Sequence, residues 1–188
     1  MTTNEVQQII DQYLRLFPGE AKDLDELQKR LEIDEVFNNR ASFSGHGAGG
    51  AIVLSPDRTK ILLIHHRILK KWFQPGGHWD PEDVDPWSVA RREAEEETGV
   101  KIATLLPIAE NSHIPIDINT HHIPANVKKH EPAHLHHEFR YVFLAASEDL
   151  SPQEAEVHEA QWVLLDSKSP KLRSVKAIVQ KLQSLNLI

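Results

Sequence analysis

The chain has 188 residues, 40% of them hydrophobic and 26% charged, enough for one domain with a sizeable core and an appendage. Its net charge of −7 gives no footprint for nucleic acid, and an anionic substrate would need basic groups or a metal to offset that field. With no cysteine, neither a disulfide nor a thiol nucleophile can operate, and no apolar run approaches the roughly 18 residues of a membrane span.

The first ten residues lack a basic region followed by a long apolar one, so the expected setting is cytoplasmic, with neither nucleic acid nor membrane as partner. Residues 2–17 place Val6, Ile9, Ile10, Tyr13, Leu14 and Phe17 on a helical stripe, and Pro18-Gly19 breaks it. Residues 22–37 repeat the stripe with Leu24, Leu27, Leu31 and Phe37. This predicts a helical hairpin, an extension of residues 1–40 packed on a main domain of residues 41–188. As alternatives the hairpin could be a substrate lid or a dimerisation element, so a homodimer is among the expected states.

Residues 42–50 hold four glycines and His46 without the Walker spacing, and predict a flexible entry into the first strand. Residues 51–54 and 61–65 read as strands about a turn at 55–58, and Ile61-Leu62-Leu63-Ile64 suits a strand covered on both faces. Arg67, Lys70 and Lys71 are the basic cluster nearest the glycines that follow, either phosphate contacts or solvated charges. Trp72-Phe73 is expected to pack under the next helix.

That helix is bounded at both ends. Asp85 is a good N-cap, Pro86 suits the first position and Gly99 suits the C-terminal cap. Trp87, Ala90, Ala94 and Thr98 form one stripe, with Glu93, Glu96 and Glu97 within an arc of about 100° beside it. Like charges at i,i+4 cost a helix about 0.2–0.5 kcal/mol per pair. An oxygen-seeking cation such as Mg²⁺ or Mn²⁺ would reverse that sign, although a solvated glutamate-rich face carries the same pattern.

Residues 100–109 read as an apolar strand, and residues 113–119 alternate Ile114, Ile116 and Ile118 as a half-buried one. Residues 120–137 carry His121, His122, His130, His134, His136 and His137 with Glu131, and Pro124 and Pro132 argue against regular structure through most of it. On a strand starting near Ala133, His134 and His136 would share one face, making a metal-ligand set with Glu131 or Glu138, or a polar pocket lining, or an exposed loop without function. Residues 139–145 and 161–165 read as strands around an acidic loop with Glu154, Glu156 and Glu159, and residues 170–187 as a helix.

Arg92-Glu93-Ala94-Glu95-Glu96-Glu97-Thr98-Gly99-Val100 resembles, position by position, the second half of the Nudix box, Arg-Glu-U-x-Glu-Glu-x-Gly-U with U aliphatic, and Gly76-Gly77 look like its opening glycines. The first half departs from the pattern. One residue is added between Gly77 and Arg92, and the place for its glutamate falls on Val84 or Asp83 according to the end counted from, so Asp83 or Glu82 is expected to replace it. The run Glu131-Pro132-Ala133-His134-Leu135-His136 looks like that of a bacterial Nudix subgroup.

The resemblance implies a Nudix α/β/α sandwich with a mixed sheet over residues 47–166, and a hydrolase cleaving a nucleoside diphosphate linked to another moiety. It implies Mg²⁺ or Mn²⁺ on Glu93 and Glu97, with Glu96 next, Arg92 orienting a glutamate, and Gly76 and Gly77 turning tightly beside the metal. The general base is open among Glu96, Glu131, Glu154 and Glu156. Arg67, His78, Glu131, His134 and His136 are the expected substrate-side groups, with His134 and His136 favoured as phosphate contacts over metal ligands. The rivals are an isomerase of the same fold, which the missing cysteine disfavours, a catalytically silent Nudix-fold binding module, and a zinc enzyme built on the histidines.

Overall fold

The computed structural model describes residues 1–33, 37, 39–67, 69–80, 82–110, 113–127, 130–153, 157–166 and 168–188. Its strands are β1 (His46–Leu54), β2 (Lys60–His66), β3 (Trp72–Phe73), β4 (Gly76–His78), β5 (Ile102–Leu105), β6 (Asp117–Ile123), β7 (His134–Ala145) and β8 (Val157–Leu164). They form one mixed sheet in the order β3-β2-β1-β7-β5, with β4 paired to β1, β6 to β7 and β8 to β2. β1 and β7 run parallel, and the other described pairs are antiparallel.

Helices cover both faces, as the expected sandwich requires. Side chains alternate along a strand, so each central strand feeds two cores. On one face Ala51, Val53, Phe139, Tyr141 and Phe143 pack with Val89, Ala90 and Ala94 of α3 (Pro86–Thr98). Val6, Ile10 and Tyr13 of α1 (Thr3–Leu16) and Leu27 of α2 (Asp25–Leu31) join that cluster. Buried Arg30 of α2 donates through Nε to the Gly45 carbonyl (2.6 Å) and so ties these helices to the start of β1. On the other face Ile52, Leu54, Val142 and Val163 pack with Ile178, Val179 and Leu182 of α4 (Lys176–Ser184).

The glycine run at 42–50 is not a flexible entry. β1 begins at His46 and is paired on both edges, so Gly47, Gly49 and Gly50 serve close approach rather than freedom. A Cβ on Gly49 would lie 2.7 Å from the Ala90 backbone nitrogen, which lets α3 rest on the sheet at backbone distance. Gly49→Ala is therefore expected to destabilise the protein by about 1–3 kcal/mol, read from the denaturant midpoint, because the atom it meets is main chain and cannot swing aside.

Other sequence expectations also shift. The second N-terminal helix is a 3-10 segment Pro18–Leu24 followed by α2, and residues 34–36 and 38 lie outside the described residues. Trp72 packs against the α4-side cluster and not under α3, with Lys171 Nζ 4.0 Å from its ring, because pairing with His65 turns the indole to that face. Within residues 100–109 only Ile102–Leu105 is strand. Ile114 and Ile116 precede β6 and fall in different clusters, so their alternation did not mark a strand. The histidine-rich segment is more regular than its prolines suggested, since Thr120–Ile123 belongs to β6 and His134 opens β7. The C-terminal helix is a 3-10 turn Pro170–Val175 leading into α4.

Candidate active site

α3 carries the acidic group, and its ends are set as the sequence requires. The Asp85 side chain accepts from the Ser88 amide (2.8 Å), Pro86 occupies the first turn, and Gly99 at φ 68° ends the helix. One face buries Val89, Ala90, Ala94 and Thr98, and Glu93 and Glu97 emerge beside it against β4. Glu97 is 8% exposed, and its Oε2 accepts from the Gly76 amide at 3.0 Å. A Cβ on Gly77 would stand 2.4 Å from the Glu93 carboxyl carbon, so the missing side chain leaves the place that the carboxylate takes. Gly76 and Gly77 do not make the tight turn expected of them: both lie in β4, paired with β1, so two carboxylates lie against consecutive backbone units of a strand.

Arg92 organises this edge. Its guanidinium donates to Glu93 Oε1 (2.9 Å), Glu96 Oε2 (3.2 Å), Asp83 Oδ2 (2.9 Å) and the His78 carbonyl (3.1 Å). Asp83 also accepts from the Asp80 amide (2.8 Å), which closes the acidic loop on itself. Of the two candidates for the displaced box glutamate, Asp83 meets Arg92 while Glu82 is exposed, and Val84 points outward at 74% exposure. The acid counted from Gly77 is thus the one that meets Arg92, and the extra residue falls between Asp83 and Arg92. Asp83→Asn, which weakens the grip on Arg92, is expected to lower activity about 10–100-fold, the usual range for groups behind metal ligands. Glu82→Gln and Asp80→Asn should stay near wild type in the same steady-state assay, since Glu82 is exposed and Asp80 lies 3.6 Å from Arg92 with a largely exposed side chain.

A second polar group occupies the opposite face of the sheet. β1 and β7 pair in parallel with His46 opposite His136, and β6 places His121 opposite His136 from the other side. His46 stacks 5.0 Å from His134 and lies 4.7 Å from His136, centroid to centroid, and His78 of β4 brings its Nε2 to 3.2 Å from that of His136. β7 does run beside α3, as expected. Yet Phe139, Tyr141 and Phe143 take the α3 face, and His134 and His136, of opposite parity, point to the other. β4 divides the two groups in the same way, with Gly77 toward Glu93 and His78 toward His136.

Burial disfavours the charged form of His46, His121, His136 and His137. The His136 pKa falls to about 2, from desolvation first and then from the neighbouring histidines, and His137, stacked on Phe37, falls to about 4, again mainly by burial. Burial also lowers His46 and His121. Below the histidines on this face Glu138 accepts from Gln74 (2.8 Å) and from Arg140 (2.7 and 3.0 Å), and Arg140 continues to Asp117 at 2.9 Å.

The remaining candidates are scattered. Glu131 sits on the β6–β7 connection within 3.4 Å of Arg40, and not beside His134. Arg67 is exposed on the turn between β2 and β3. Glu96 is half-exposed and held by Arg92, and Glu154 and Glu156 lie outside the described residues. Sequence reasoning passed over His46, because only the parallel pairing of β1 with β7 brings it to His136.

A model of the NUDIX domain matches residues 45–179, and the chain belongs to that family. A probable DHNTP pyrophosphohydrolase of Lactococcus lactis subsp. cremoris (strain MG1363) is 33% identical over 119 residues, and the chain spans 63% of that relative's length, with 63% of its own matched. A NUDIX-family hydrolase of Clostridium perfringens shares the fold with a TM-score of 0.53 at 23% identity, over 76% of this chain and 97% of its own. The NUDIX domain of Shewanella oneidensis NrtR, complexed with ADP ribose, does so with a TM-score of 0.54 at 17% identity, over 86% and 98%.

Proposed function

We propose that the protein hydrolyses a pyrophosphate bond in a nucleoside diphosphate linked to another moiety, using Mg²⁺ or Mn²⁺ held by Glu93 and Glu97, with Glu96 as a further ligand or base. The observation that carries this reading is the convergence of Glu93 and Glu97 on the backbone of Gly76 and Gly77, with Arg92 fixing Glu93. The donor set is all oxygen and doubly negative, as a hard cation requires and as two adjacent helical carboxylates without one would resist. When bound, such an ion neutralises charge on the pyrophosphate oxygens and activates a water for in-line attack at phosphorus.

The protein's own groups do the positioning. Arg92 holds the Glu93 carboxylate beside Gly77 of β4 and is itself braced by Asp83. The Gly76 amide fixes one oxygen of Glu97, so that carboxylate does not rotate freely. Glu96, although paired with Arg92, keeps 52% side-chain exposure on the same helix as Glu93 and Glu97 and is placed to take a proton from water. The segment before β1 packs as a cover on the α3 side of the domain, and we assign it no catalytic part.

The names of the relatives, one a probable pyrophosphohydrolase and one a domain complexed with ADP ribose, accord with this reading. The test is a panel of nucleoside triphosphates, ADP-ribose, sugar nucleotides and dinucleoside polyphosphates assayed with Mg²⁺ and with Mn²⁺ for phosphate or mononucleotide release. Cleavage of at least one member, abolished by chelator, supports the proposal. A chain that binds members of the panel without cleaving any would instead be the silent binding module.

A further inference from the structure

We infer that His46, His134 and His136 form a binding site for a transition-metal ion of the zinc class, separate from the glutamate site. The three side chains each offer a ring nitrogen, and these nitrogens all lie within 4.8 Å of one another. The fold builds the set from two strands. The parallel register puts His46 opposite His136, and the two-residue period of β7 adds His134 on the same face.

Hydrogen bonding fixes which nitrogens are available. His46 Nδ1 lies 3.2 Å from the Ser42 carbonyl oxygen, and His134 Nδ1 lies 2.8 Å from that of Pro132. A carbonyl only accepts, so both Nδ1 atoms carry the proton, and in the neutral ring, the form that binds a metal, each Nε2 presents a lone pair. This is the arrangement that orients histidine ligands in metal sites, with one ring nitrogen donating to a backbone carbonyl and the other aimed at the ion.

The lone pairs converge on one another. His134 Nε2 is 3.1 Å from His136 Nε2, which is also 3.2 Å from His78 Nε2. A single His136 Nε2 cannot donate to His134 and accept from His78 together, so one of those contacts is not a hydrogen bond. His46 is 1% exposed, and its Nε2 has no hydrogen-bond partner among the described residues. A buried nitrogen in that condition costs free energy unless something accepts its lone pair. One cation bound by the three Nε2 atoms satisfies all of them. Nitrogens held at 2.0–2.1 Å in a tetrahedron lie about 3.3 Å apart, close to the 3.1 Å between His134 and His136.

The donor type selects the ion. An all-imidazole set suits Zn²⁺ and its neighbours Co²⁺ and Ni²⁺, while Mg²⁺ prefers oxygen. Three histidines leave a fourth position, and the His78 ring, whose Nε2 lies 3.2 Å from that of His136, stands beside the set. The two metal sites would then differ in chemistry and lie on opposite faces of β4. The phosphate contact favoured from sequence fits less well, since the Nε2 atoms of His134 and His136 are directed at each other.

The full-length protein, stripped of metal, is titrated with Zn²⁺ by calorimetry in excess Mg²⁺, and with Co²⁺ for the visible absorption of four-coordinate cobalt. One equivalent per chain is expected, with that absorption and a raised melting temperature. His134→Gln and His136→Gln should each weaken Zn²⁺ binding by about 100-fold or more while the far-ultraviolet spectrum stays native. Glu97→Gln should leave Zn²⁺ binding unchanged, which separates this inference from the proposed hydrolysis. Failure of the wild type to bind a stoichiometric ion would overturn it, and that measurement needs no variant. Binding that survives the His134→Gln/His136→Gln double change would overturn it equally.

Discussion

Glu97→Gln is expected to lower turnover by roughly 10²–10³-fold on any substrate the wild type cleaves, with the melting temperature nearly unchanged. Glutamine retains a carbonyl oxygen to accept from the Gly76 amide, so the local hydrogen bond survives. What disappears is a negative oxygen in the proposed ligand set, which no neighbour replaces, because Glu93 is engaged by Arg92 and Glu96 is half in solvent. Steady-state kinetics at several Mg²⁺ concentrations should show the loss partly relieved at high metal. Activity at wild-type level in Glu97→Gln would remove Glu97 from the metal site.

The largest effect on stability is expected at Arg140. Glu138 is 8% exposed, and Arg140 neutralises it through two hydrogen bonds while reaching Asp117. Arg140→Leu leaves a buried carboxylate without its cation, a change that costs about 3–5 kcal/mol. For a chain of this length that lowers the melting temperature by about 6–20 °C. Glu138→Gln added to Arg140→Leu should recover part of the loss, because the more deeply buried of the two stranded charges is gone while Asp117 keeps its own. The pH dependence carries the same signature. Burial alone would raise the Glu138 pKa, but the charge and hydrogen bonds of Arg140, with the hydrogen bond from Gln74, together hold it below the ordinary 4.5. A depressed carboxyl pKa contributes stability above the unfolded value, and that stability is lost as pH falls through the folded one. The wild type should therefore lose this contribution below about pH 4.5. In Arg140→Leu burial is opposed mainly by the weaker Gln74 hydrogen bond, the Glu138 pKa rises, and acid should relieve the defect. A scan of melting temperature against pH in both proteins decides it.

The sandwich and the acidic helix were legible because their signals are local. Asp85, Pro86 and Gly99 bound α3 through caps that act within a few residues, and Glu93, Glu96 and Glu97 share a face by helical period alone. His134 and His136 were legible as a pair for the same reason, with the period of a strand. What was not legible depended on pairing across the chain. Gly47, Gly49 and Gly50 read as flexible on their own, and only α3, nearly 40 residues on, shows why Gly49 cannot carry a side chain. His46 had no signal beyond its identity until β7 lay beside β1. Trp72 was misplaced because a short strand beside a motif can turn its side chain to either face, and its pairing with β2 decides which. Asp83 and Glu82 could not be separated by counting, whereas one hydrogen bond to Arg92 separates them.

The central claim is that water attacks phosphorus in a pyrophosphate link at the Glu93–Glu97 site. Turnover in heavy-oxygen water, with the products weighed by mass spectrometry, tests it most directly. The account expects Mg²⁺-dependent products in which one heavy oxygen is carried on a phosphoryl group, and their loss in Glu97→Gln. Products that form with no label on phosphorus, or that form equally in Glu97→Gln, would contradict it.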